Sequence, residues 1–482
     1  MQIDYAAVAP ELVLTGALCL VLVVDLVLPD DRKGLIMPVS LLGVAGTLLA
    51  LLALAGDPTR TTLGGMFVVD SFAVTLKILF CVAALLTLAM SYDYLRKEGI
   101  HQGEFYFLLL CSLLGMLTIA SSRDLLPIFV SLELVSVPAF VLAGLQKIDV
   151  KSNEAALKFF LFSILSTAVM LFGMSLIYGI TGTTNLAEIA VRLAATPVLR
   201  SIAVLSVFFV VVGFGFKISA FPFQWWVPDT YEGSPVPVAA FLSVASKTAG
   251  FVGLLQIMFI AFHGLADVWR PFIAAVAILT MTFGNLVALT QRHIVRLLAY
   301  SSIGQAGYIL LPLAVVNVNG GSVNHEAFAA SIAYLLIYAF MEMGAFSVAV
   351  AYGREGGYFI DDYAGLGYRA PGLAVVMTVF LFSLAGIPPL AGWAAKLFIF
   401  RAVIDGHEYW LAVAMAVNTV IALFYYAKVV RRMFFEPAGD GPLGVKVPLL
   451  LQATIAVSTV MVLVIGILPD LAAHLARMST LV

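Results

Sequence analysis

The chain has 482 residues, of which 62% are hydrophobic and only 11% are charged, and its formal net charge at pH 7 is −2. Soluble globular domains have roughly 45–50% apolar and about 25% charged residues. The composition therefore excludes a soluble fold, and the near-zero charge argues against nucleic acid or an acidic substrate as a partner. We expect an all-α polytopic membrane protein whose solvent is the lipid bilayer.

The predicted elements are hydrophobic helices, about fourteen in number, because each crossing of a bilayer takes roughly 20 apolar residues. The first of them lacks a basic n-region, which predicts a retained span and not a cleaved signal peptide. In chain order the predicted limits are 5–27, 36–56, 69–91, 104–121, 124–145, 155–180, 200–227, 235–262, 271–289, 294–316, 326–352, 372–403, 408–431 and 448–469.

The distribution of Lys and Arg predicts the orientation of these spans. More of these residues lie at the span ends on the side of the first connection than on the opposite side. The positive-inside rule then places the first connection in the cytoplasm and both termini outside.

Charged side chains at membrane depth are the unusual feature of the sequence, because each costs about 2.5–3.5 kcal/mol at the centre of an inserted helix. The deep cations are Lys77, Lys217, Lys247 and Lys396. The deep carboxylates are Glu133 and Glu342, with Asp25 nearer an inner end. A buried lysine gains and loses its proton as its surroundings change, whereas arginine stays protonated. The exclusive use of lysine therefore favours proton transfer over static ion pairs, which remain the structural alternative.

The positions of these residues separate them further. Lys217 lies too far from either end of its span to reach the interface, while Lys77 lies close enough to the outer end that we expect it to extend to the headgroups. Lys247 shares a predicted helix face with Ser243 and Gly250, so this small polar face should meet another helix or water. Two further residues are auxiliary candidates. Glu342 lies deep in the eleventh predicted span, and His293 lies at a span end, nearest to a water-filled entrance on the inner side.

Two spans are longer than a bilayer needs and contain proline: Pro222 in the seventh, and Pro388 with Pro389 in the twelfth. Overlong, proline-interrupted segments at matching positions of two halves indicate broken helices in an inverted repeat. The predicted division is a three-helix segment at 1–103, a first five-helix repeat at 104–262, a second and inverted repeat at 263–434, and the last helix at 435–482.

Redox chemistry within the chain is not expected. Three cysteines, Cys19, Cys81 and Cys111, lie in apolar runs without the spacing of a metal or haem site. The sequence also has no glycine-rich loop of the kind that binds flavin or a nucleotide. We therefore predict that the chain itself binds no metal and no cofactor.

Two segments carry a resemblance to a known family: FKISAFPFQWWVPDTYEGSPVPVAAFLSVASKTAGF at 216–251 and LTQRHIVRLLAYSSIGQAGYIL at 289–310. They resemble the proton-translocating antiporter-like subunits, and are most similar to the subunit N family of bacterial NADH:quinone oxidoreductase, respiratory complex I. The resemblance covers nearly the whole chain. It implies a membrane-arm translocase subunit of the bacterial inner membrane, and the Lys and Arg distribution then predicts both termini on the periplasmic side.

The resemblance implies roles for four residues in one proton channel. Glu133 matches the family's fifth-helix glutamate, Lys217 its broken-helix lysine, and Lys247 its eighth-helix lysine. Lys396 matches the residue from which the proton leaves, and lysine at this position favours the N type. The resemblance assigns no role to Glu342 or Lys77.

The family also implies partners and cofactors outside this chain. Electron transport from NADH through FMN and iron–sulfur clusters to quinone would take place in other subunits, and neighbouring antiporter-like subunits would flank the chain. Alternatives that share the fold are a subunit of a multi-subunit cation/proton antiporter, of a membrane-bound hydrogenase or of a plastid-type dehydrogenase. A structural scaffold with static ion pairs is the alternative from a different class.

Overall fold

A computed structural model describes residues 3–100, 102–195, 199–316, 318–319, 322–323, 325–437, 444–479 and 481. The fold is all-α apart from two short antiparallel hairpins. The hairpin strands are β1 (Arg60–Thr62) with β2 (Phe67–Val69), and β3 (Val318–Asn319) with β4 (Ser322–Val323). The helices are α1 (Ala9–Val27), α2 (Ile36–Leu54), α3 (Ser71–Glu98), α4 (Gln102–Ser121), α5 (Leu125–Ala143), α6 (Val150–Thr181), α7 (Leu186–Ala195), α8 (Arg200–Lys217), α9 (Trp226–Gly233), α10 (Val236–Phe241), α11 (Lys247–Gln256), α12 (Ala266–Ala288), α13 (Ile294–Ala314), α14 (His325–Gly356), α15 (Leu366–Arg369), α16 (Pro371–Ala385), α17 (Ala391–Asp405), α18 (Tyr409–Phe435), α19 (Leu449–Ile467) and α20 (Asp470–Met478).

The described residues include 13 helices that are long and apolar enough to cross a membrane. The remaining predicted span, the twelfth, is present as two shorter helices, the apolar α16 and the more polar α17. The prediction of a polytopic all-α membrane protein is therefore confirmed. One predicted span, 235–262, is continuous from Val236 to Ala261 but includes two π-helical turns, at Leu242–Ser246 and Ile257–Ala261.

Both predicted helix breaks are present. Helix α8 ends at Lys217, and α9 begins only at Trp226, after an irregular stretch in which Ser219 has a positive φ of 64°. Helix α16 ends at Ala385, and Gly386, with a φ of 92°, leads into the stretch that precedes α17. Each stretch includes a cis proline, Pro222 in the first and Pro389 in the second. The first stretch begins buried, at Ile218–Ala220, and becomes exposed at Pro222, whereas the second stretch is half-buried to exposed throughout, with Pro388 and Pro389 exposed.

The helices in the middle of the chain form the centre of the bundle. In the most apolar 18 residues of Val236–Ala261, 100% of the residues are buried. The corresponding share is 94% in Ile294–Ala314 and in His325–Gly353, but only 22% in α1. In the bilayer, α1 and the other outer helices therefore present their apolar side chains to lipid or to neighbouring chains.

The order of helices repeats along the chain. Helix α4 packs along α5, and α12 packs along α13 in the same way. The long helix α6 then contacts both pieces of the first broken helix, as the long helix α14 contacts both pieces of the second. This recurrence agrees with two five-helix units, and the domain limits given above stay a prediction.

Candidate functional site: a series of buried lysines

The first lysine of the series lies at the first helix break. Lys217 is the last residue of α8 and is only 6% exposed. Its ammonium group donates hydrogen bonds to the hydroxyl of Ser136 on α5 and to that of Ser163 on α6, the latter at 3.2 Å. The ring of Phe216 lies 5.5 Å from the ammonium nitrogen. At short range the Lys217 ammonium group is therefore surrounded by neutral groups, two hydroxyls and an aromatic ring.

Glu133 lies near Lys217 but is not bonded to it. The carboxylate accepts a hydrogen bond of 2.9 Å from Thr167 on α6, and it acts on Lys217 only over a longer distance, as a Coulombic neighbour. Glu133 is half-buried, and it lies on the outward face of α5 between Val130 and Val137, which are 61% and 53% exposed. This carboxylate therefore faces both Lys217 and the lateral surface of the chain.

Lys217 and the second lysine, Lys247, are joined by a close approach of their helices. A Cβ atom on Gly250 would lie 2.9 Å from Cβ of Lys217 and 3.1 Å from Cγ2 of Ile218. Glycine is thus required where α11 crosses the end of α8. Because Lys247 precedes Gly250 by three residues, both lysines border the same helix contact.

Lys247 begins α11, directly after the first π-turn, and is 2% exposed. Its ammonium group donates to the Ser302 carbonyl oxygen at 3.0 Å and to the Ser302 hydroxyl at 2.8 Å. Ser302 belongs to α13, so this contact joins the two predicted repeats. The predicted meeting of the Lys247 face with another helix is present in the structure.

Glu342 lies close to Lys247, at the middle of α14. It is 0% exposed, and neither of its oxygens makes a hydrogen bond within the described part of the chain. Lys247 and Glu342 interact electrostatically without forming an ion pair of normal length. The sequence identified Glu342 as an auxiliary candidate, and the structure places it beside one of the principal residues.

The third lysine lies at the second helix break. Lys396 is 6% exposed, and its ammonium group donates to the carbonyl oxygen of Ala385, the last residue of α16, at 2.8 Å. The nitrogen also lies 4.6 Å from the centre of the Tyr308 ring. A helix C-terminus and an aromatic face both attract a cation. The missing side chain of Gly386 leaves room here, because a Cβ atom at this residue would lie 2.8 Å from Cδ of Lys396.

A chain of polar side chains that sequence reasoning missed lies between Lys247 and Lys396. Ser301 bonds to the hydroxyl of Tyr426, and Tyr426 accepts from the Gln305 amide at 3.4 Å. The Gln305 amide also donates to the Leu384 carbonyl oxygen at 3.1 Å, one residue before the carbonyl that holds Lys396. Tyr334 donates to the side-chain oxygen of Gln305. The spacing of Ser301, Gln305 and Tyr308 along one helix face was the available signal.

The expectation for Lys77 was wrong. This lysine does not extend to the headgroups, because it is 0% exposed and its ammonium nitrogen lies 2.6 Å from Oε1 of Glu11. Glu11 is 8% exposed and was not counted as a deep carboxylate because it lies near the start of the first span. A second buried pair lies at the N-terminal end of α3, where Asp70 contacts Arg123 at 2.5 Å. Both pairs are direct contacts and suit a structural role.

His293 lies away from the three lysines, immediately before α13. Its ring packs edge-on against Phe359 at 5.6 Å, and burial lowers the pKa of His293 below its ordinary value of 6.5, against the opposing pull of Glu232. Glu232 forms ion pairs with Arg296 at 2.9 Å and with Lys151 at 3.1 Å. His293 therefore belongs to a charged cluster at the end of the first broken helix.

The part of the chain that the structure describes has no group of three or more His, Cys, Asp or Glu side chains placed to hold a metal ion. What the buried groups provide is a set of amines and carboxylates that can exchange protons with hydroxyl neighbours.

Broken helices with lysines at their breaks, inside a bundle of membrane-spanning helices, define a membrane protein of the antiporter-like fold. The sequence matches the family described as NADH:quinone oxidoreductase/Mrp antiporter, TM, over residues 122–422. It is 44% identical over 452 residues to NADH-quinone oxidoreductase subunit N 2 of Streptomyces griseus, and the match covers 91% of this chain and 84% of that one.

Solved structures agree with this relationship. A chain of respiratory complex I from Thermus thermophilus, solved with bound aureothin, is 30% identical and superposes with a TM-score of 0.80 over 97% of this chain and 99% of that one. A chain of the Mrp complex from Dietzia sp. shares the fold at 22% identity, with a TM-score of 0.85 over 98% and 96% of the two chains. The chain belongs to the NADH:quinone oxidoreductase/Mrp antiporter family and, within it, to the subunit N family of NADH-quinone oxidoreductases.

Proposed function

We propose that this chain is a proton-translocating membrane-arm subunit of an NADH:quinone oxidoreductase. The observation that carries the proposal is the series of three lysines buried within the bundle, Lys217, Lys247 and Lys396, each held by neutral groups at short range. Lysines fixed only for structure would be expected to contact carboxylates directly, as Lys77 does with Glu11 at 2.6 Å.

The proposed route starts at the cytoplasmic side and reaches Lys217, where the charge of Glu133 favours the protonated amine. The proton then passes to Lys247 across the helix contact at Gly250. The polar chain of Ser301, Tyr426 and Gln305 supports the last transfer, to Lys396, from which the proton leaves to the outside. His293 has an auxiliary place near the inner entrance.

Electron transfer is assigned to partner subunits. In this proposal NADH, FMN, iron–sulfur clusters and quinone are bound elsewhere in the holo-complex, and this chain is a non-redox part of the enzyme. The half-buried Glu133 supports contact with a neighbouring membrane-arm subunit, because a carboxylate left on the lipid-facing surface would be costly. An antiporter-like neighbour would cover that face of α5.

The test compares three variants in the assembled complex reconstituted into vesicles. We expect Lys217→Met and Lys217→Arg to lower proton pumping by at least about 10²-fold, the scale of a lost acid–base group, because arginine does not release its proton. Lys147→Arg, at a lysine whose side chain is 70% exposed, is the matched control and should pump normally. Pumping at the wild-type rate in Lys217→Arg would exclude Lys217 from proton transfer and would favour a scaffold.

A second candidate function follows from the shared fold: a subunit of a multi-subunit cation/proton antiporter, or of a membrane-bound hydrogenase. The similarity to the Mrp complex chain favours it at the level of the fold. Purification of the native complex separates the two. Subunits that bind flavin and iron–sulfur clusters, with NADH:quinone activity, support the first function, and their absence supports the second.

We also propose that the chain lies in a bacterial inner membrane with both termini on the periplasmic side, from the excess of Lys and Arg at the inner span ends. A protease site added after residue 482 should be cut from the periplasmic side of intact cells. A site inserted at the Lys147–Asp149 loop, predicted to be cytoplasmic, should be cut only in inverted vesicles. The opposite pattern would reverse the orientation.

A further inference from the structure

The buried carboxylate of Glu342 has no role in the route described above. It lies in the middle of α14 with 0% exposure, and its two oxygens have no hydrogen bond within the described residues. A buried carboxylate without a hydrogen bond of normal geometry is costly unless it can take up a proton or has a nearby cation. Such a group is therefore more readily explained by chemistry than by stability.

The titratable groups that act on Glu342 come from several helices. Lys247 of α11 supplies a positive charge, and the tyrosines are Tyr231 of α9, Tyr426 of α18, and Tyr334 and Tyr338 of α14 itself. The hydroxyls of Tyr231 and Tyr338 make no hydrogen bond of normal geometry among the described residues, but both lie near Ser302, which holds Lys247, and that of Tyr338 also lies near the Glu342 carboxylate. Hydroxyl groups thus surround the space between the amine and the carboxylate.

We propose that Glu342 is the proton-exchange partner of Lys247, and this inference rests on the function proposed above. In the transfer an N–H bond of the Lys247 ammonium group breaks and an O–H bond forms on Glu342, with the hydroxyl of Tyr231 or Tyr338 able to relay the proton. The products are a neutral amine and a neutral carboxylic acid, and the reverse step restores both charges. No further reactant is needed.

The geometry distinguishes this couple from that of Lys217 and Glu133. Glu133 reaches the lateral surface of the chain, where a neighbouring subunit can act on it, whereas Glu342 is enclosed. The Lys247–Glu342 couple also spans the two predicted repeats, because α11 belongs to the first and α14 to the second. Glu342 is thus placed to receive the proton from the first half before it continues toward Lys396.

The first test replaces Glu342 in the complete complex. We expect Glu342→Gln to lower proton pumping by about tenfold or more while the subunits still co-purify, since the amide cannot accept the proton. Glu326→Gln, at a half-exposed carboxylate on the same helix, is the matched control and should pump normally. If Glu342→Gln pumps normally while Lys217→Met does not, this inference fails and the proposed function stands. If both pump normally, both fail.

The second test detects the protonation of Glu342 directly and does not use proton pumping as its readout. Infrared difference spectra of the wild-type complex, recorded over a pH range, report the C=O stretch of a protonated carboxyl group, and its loss in Glu342→Gln or shift in Glu342→Asp assigns it. We expect Lys247→Met to shift the pH at which the C=O band has half its intensity by about one unit or more, because the cation next to Glu342 is gone. A midpoint that is unchanged in Lys247→Met would overturn the couple.

Discussion

The two helix breaks place a lysine in similar surroundings by different means. At the first break the lysine is the last residue of α8 and is held by the hydroxyls of two neighbouring helices, with a carboxylate near by. At the second break Lys396 lies within α17 and reaches back to the carbonyl end of α16 and to the ring of Tyr308. The described residues show a carboxylate acting on Lys217 and none on Lys396.

This difference suggests a division of labour between the halves. When a carboxylate partner moves away from a lysine, the lysine loses its proton more readily. Such a lysine is expected where a conformational change drives proton release. A lysine held by fixed dipoles responds mainly to water and to the proton supplied to it. The comparison therefore predicts that energy input acts on the proton affinity of Lys217 in the first half, and that Lys396 in the second half responds to the proton it receives.

The largest effect is expected when the amine of the second half is removed. Lys396→Met should lower pumping by at least about 10²-fold, as in Lys217→Met, if both lysines carry the same proton. Arg401→Met, at an exposed cation on the same helix, is the control. Proton uptake measured in reconstituted vesicles checks this, and a Lys396→Met complex that pumps like wild type would show that the halves are not in series.

The next effect concerns the glycines that let the lysines fit. Gly250→Ala would press a methyl group against Cβ of Lys217, and overpacking of this kind costs about 1–3 kcal/mol. Gly386→Ala would meet the flexible Cδ of Lys396, but a positive φ costs an L-residue about 1–2 kcal/mol. Gly179→Ala, with no atom within 4 Å of its Cβ position, is the control. Thermal unfolding of the purified complex measures all three.

These glycine variants also sharpen the comparison between the halves. Gly250→Ala should disturb two lysines at once and lower pumping more than Gly386→Ala, which affects one. Equal stability losses with equal pumping losses would show that the contact at Gly250 has no special part in transfer.

A smaller effect is expected from the neutral partners of each lysine. Hydrogen bonds to charged groups contribute about 1.5–3 kcal/mol, and cation–π contacts about 0.5–2 kcal/mol. Ser136→Ala should therefore impair pumping more than Tyr308→Leu. Ser175→Ala, on the exposed face of α6, is the control. A larger loss in Tyr308→Leu would mean that the aromatic face, and not the hydroxyls, sets the stronger site.

The smallest effect is expected at His293, on the predicted cytoplasmic side, and concerns the pH dependence of stability. Because burial lowers the pKa of His293, the folded chain favours the neutral ring. Its contribution to stability is complete above the ordinary pKa of 6.5 and is lost as the pH falls through the lower folded value. His293→Phe should flatten that part of the stability curve. An unchanged curve between pH 7 and pH 5 would remove His293 from the pH response.

Much of this site could be predicted from the sequence because membrane depth makes charge conspicuous. Lys217, Lys247 and Lys396 were found by their cost in an apolar span, and Pro222, Pro388 and Pro389 located the breaks. The supporting residues were harder to find, since Ser302, Gln305 and Tyr426 are neutral and do not stand out at membrane depth as charges do. Glu11 was missed because distance along the chain from a span end does not reveal which helix covers a side chain.

The outward position of Glu133 has a consequence for how the chain is made. A copy inserted alone would hold a carboxylate against hydrocarbon between Val130 and Val137, while its Thr167 contact satisfies only one oxygen. A neighbouring chain that covered this strip of α5 would remove that cost, which a charge facing lipid otherwise carries. Assembly of the subunit with its neighbours should therefore stabilise the chain most along this strip of α5.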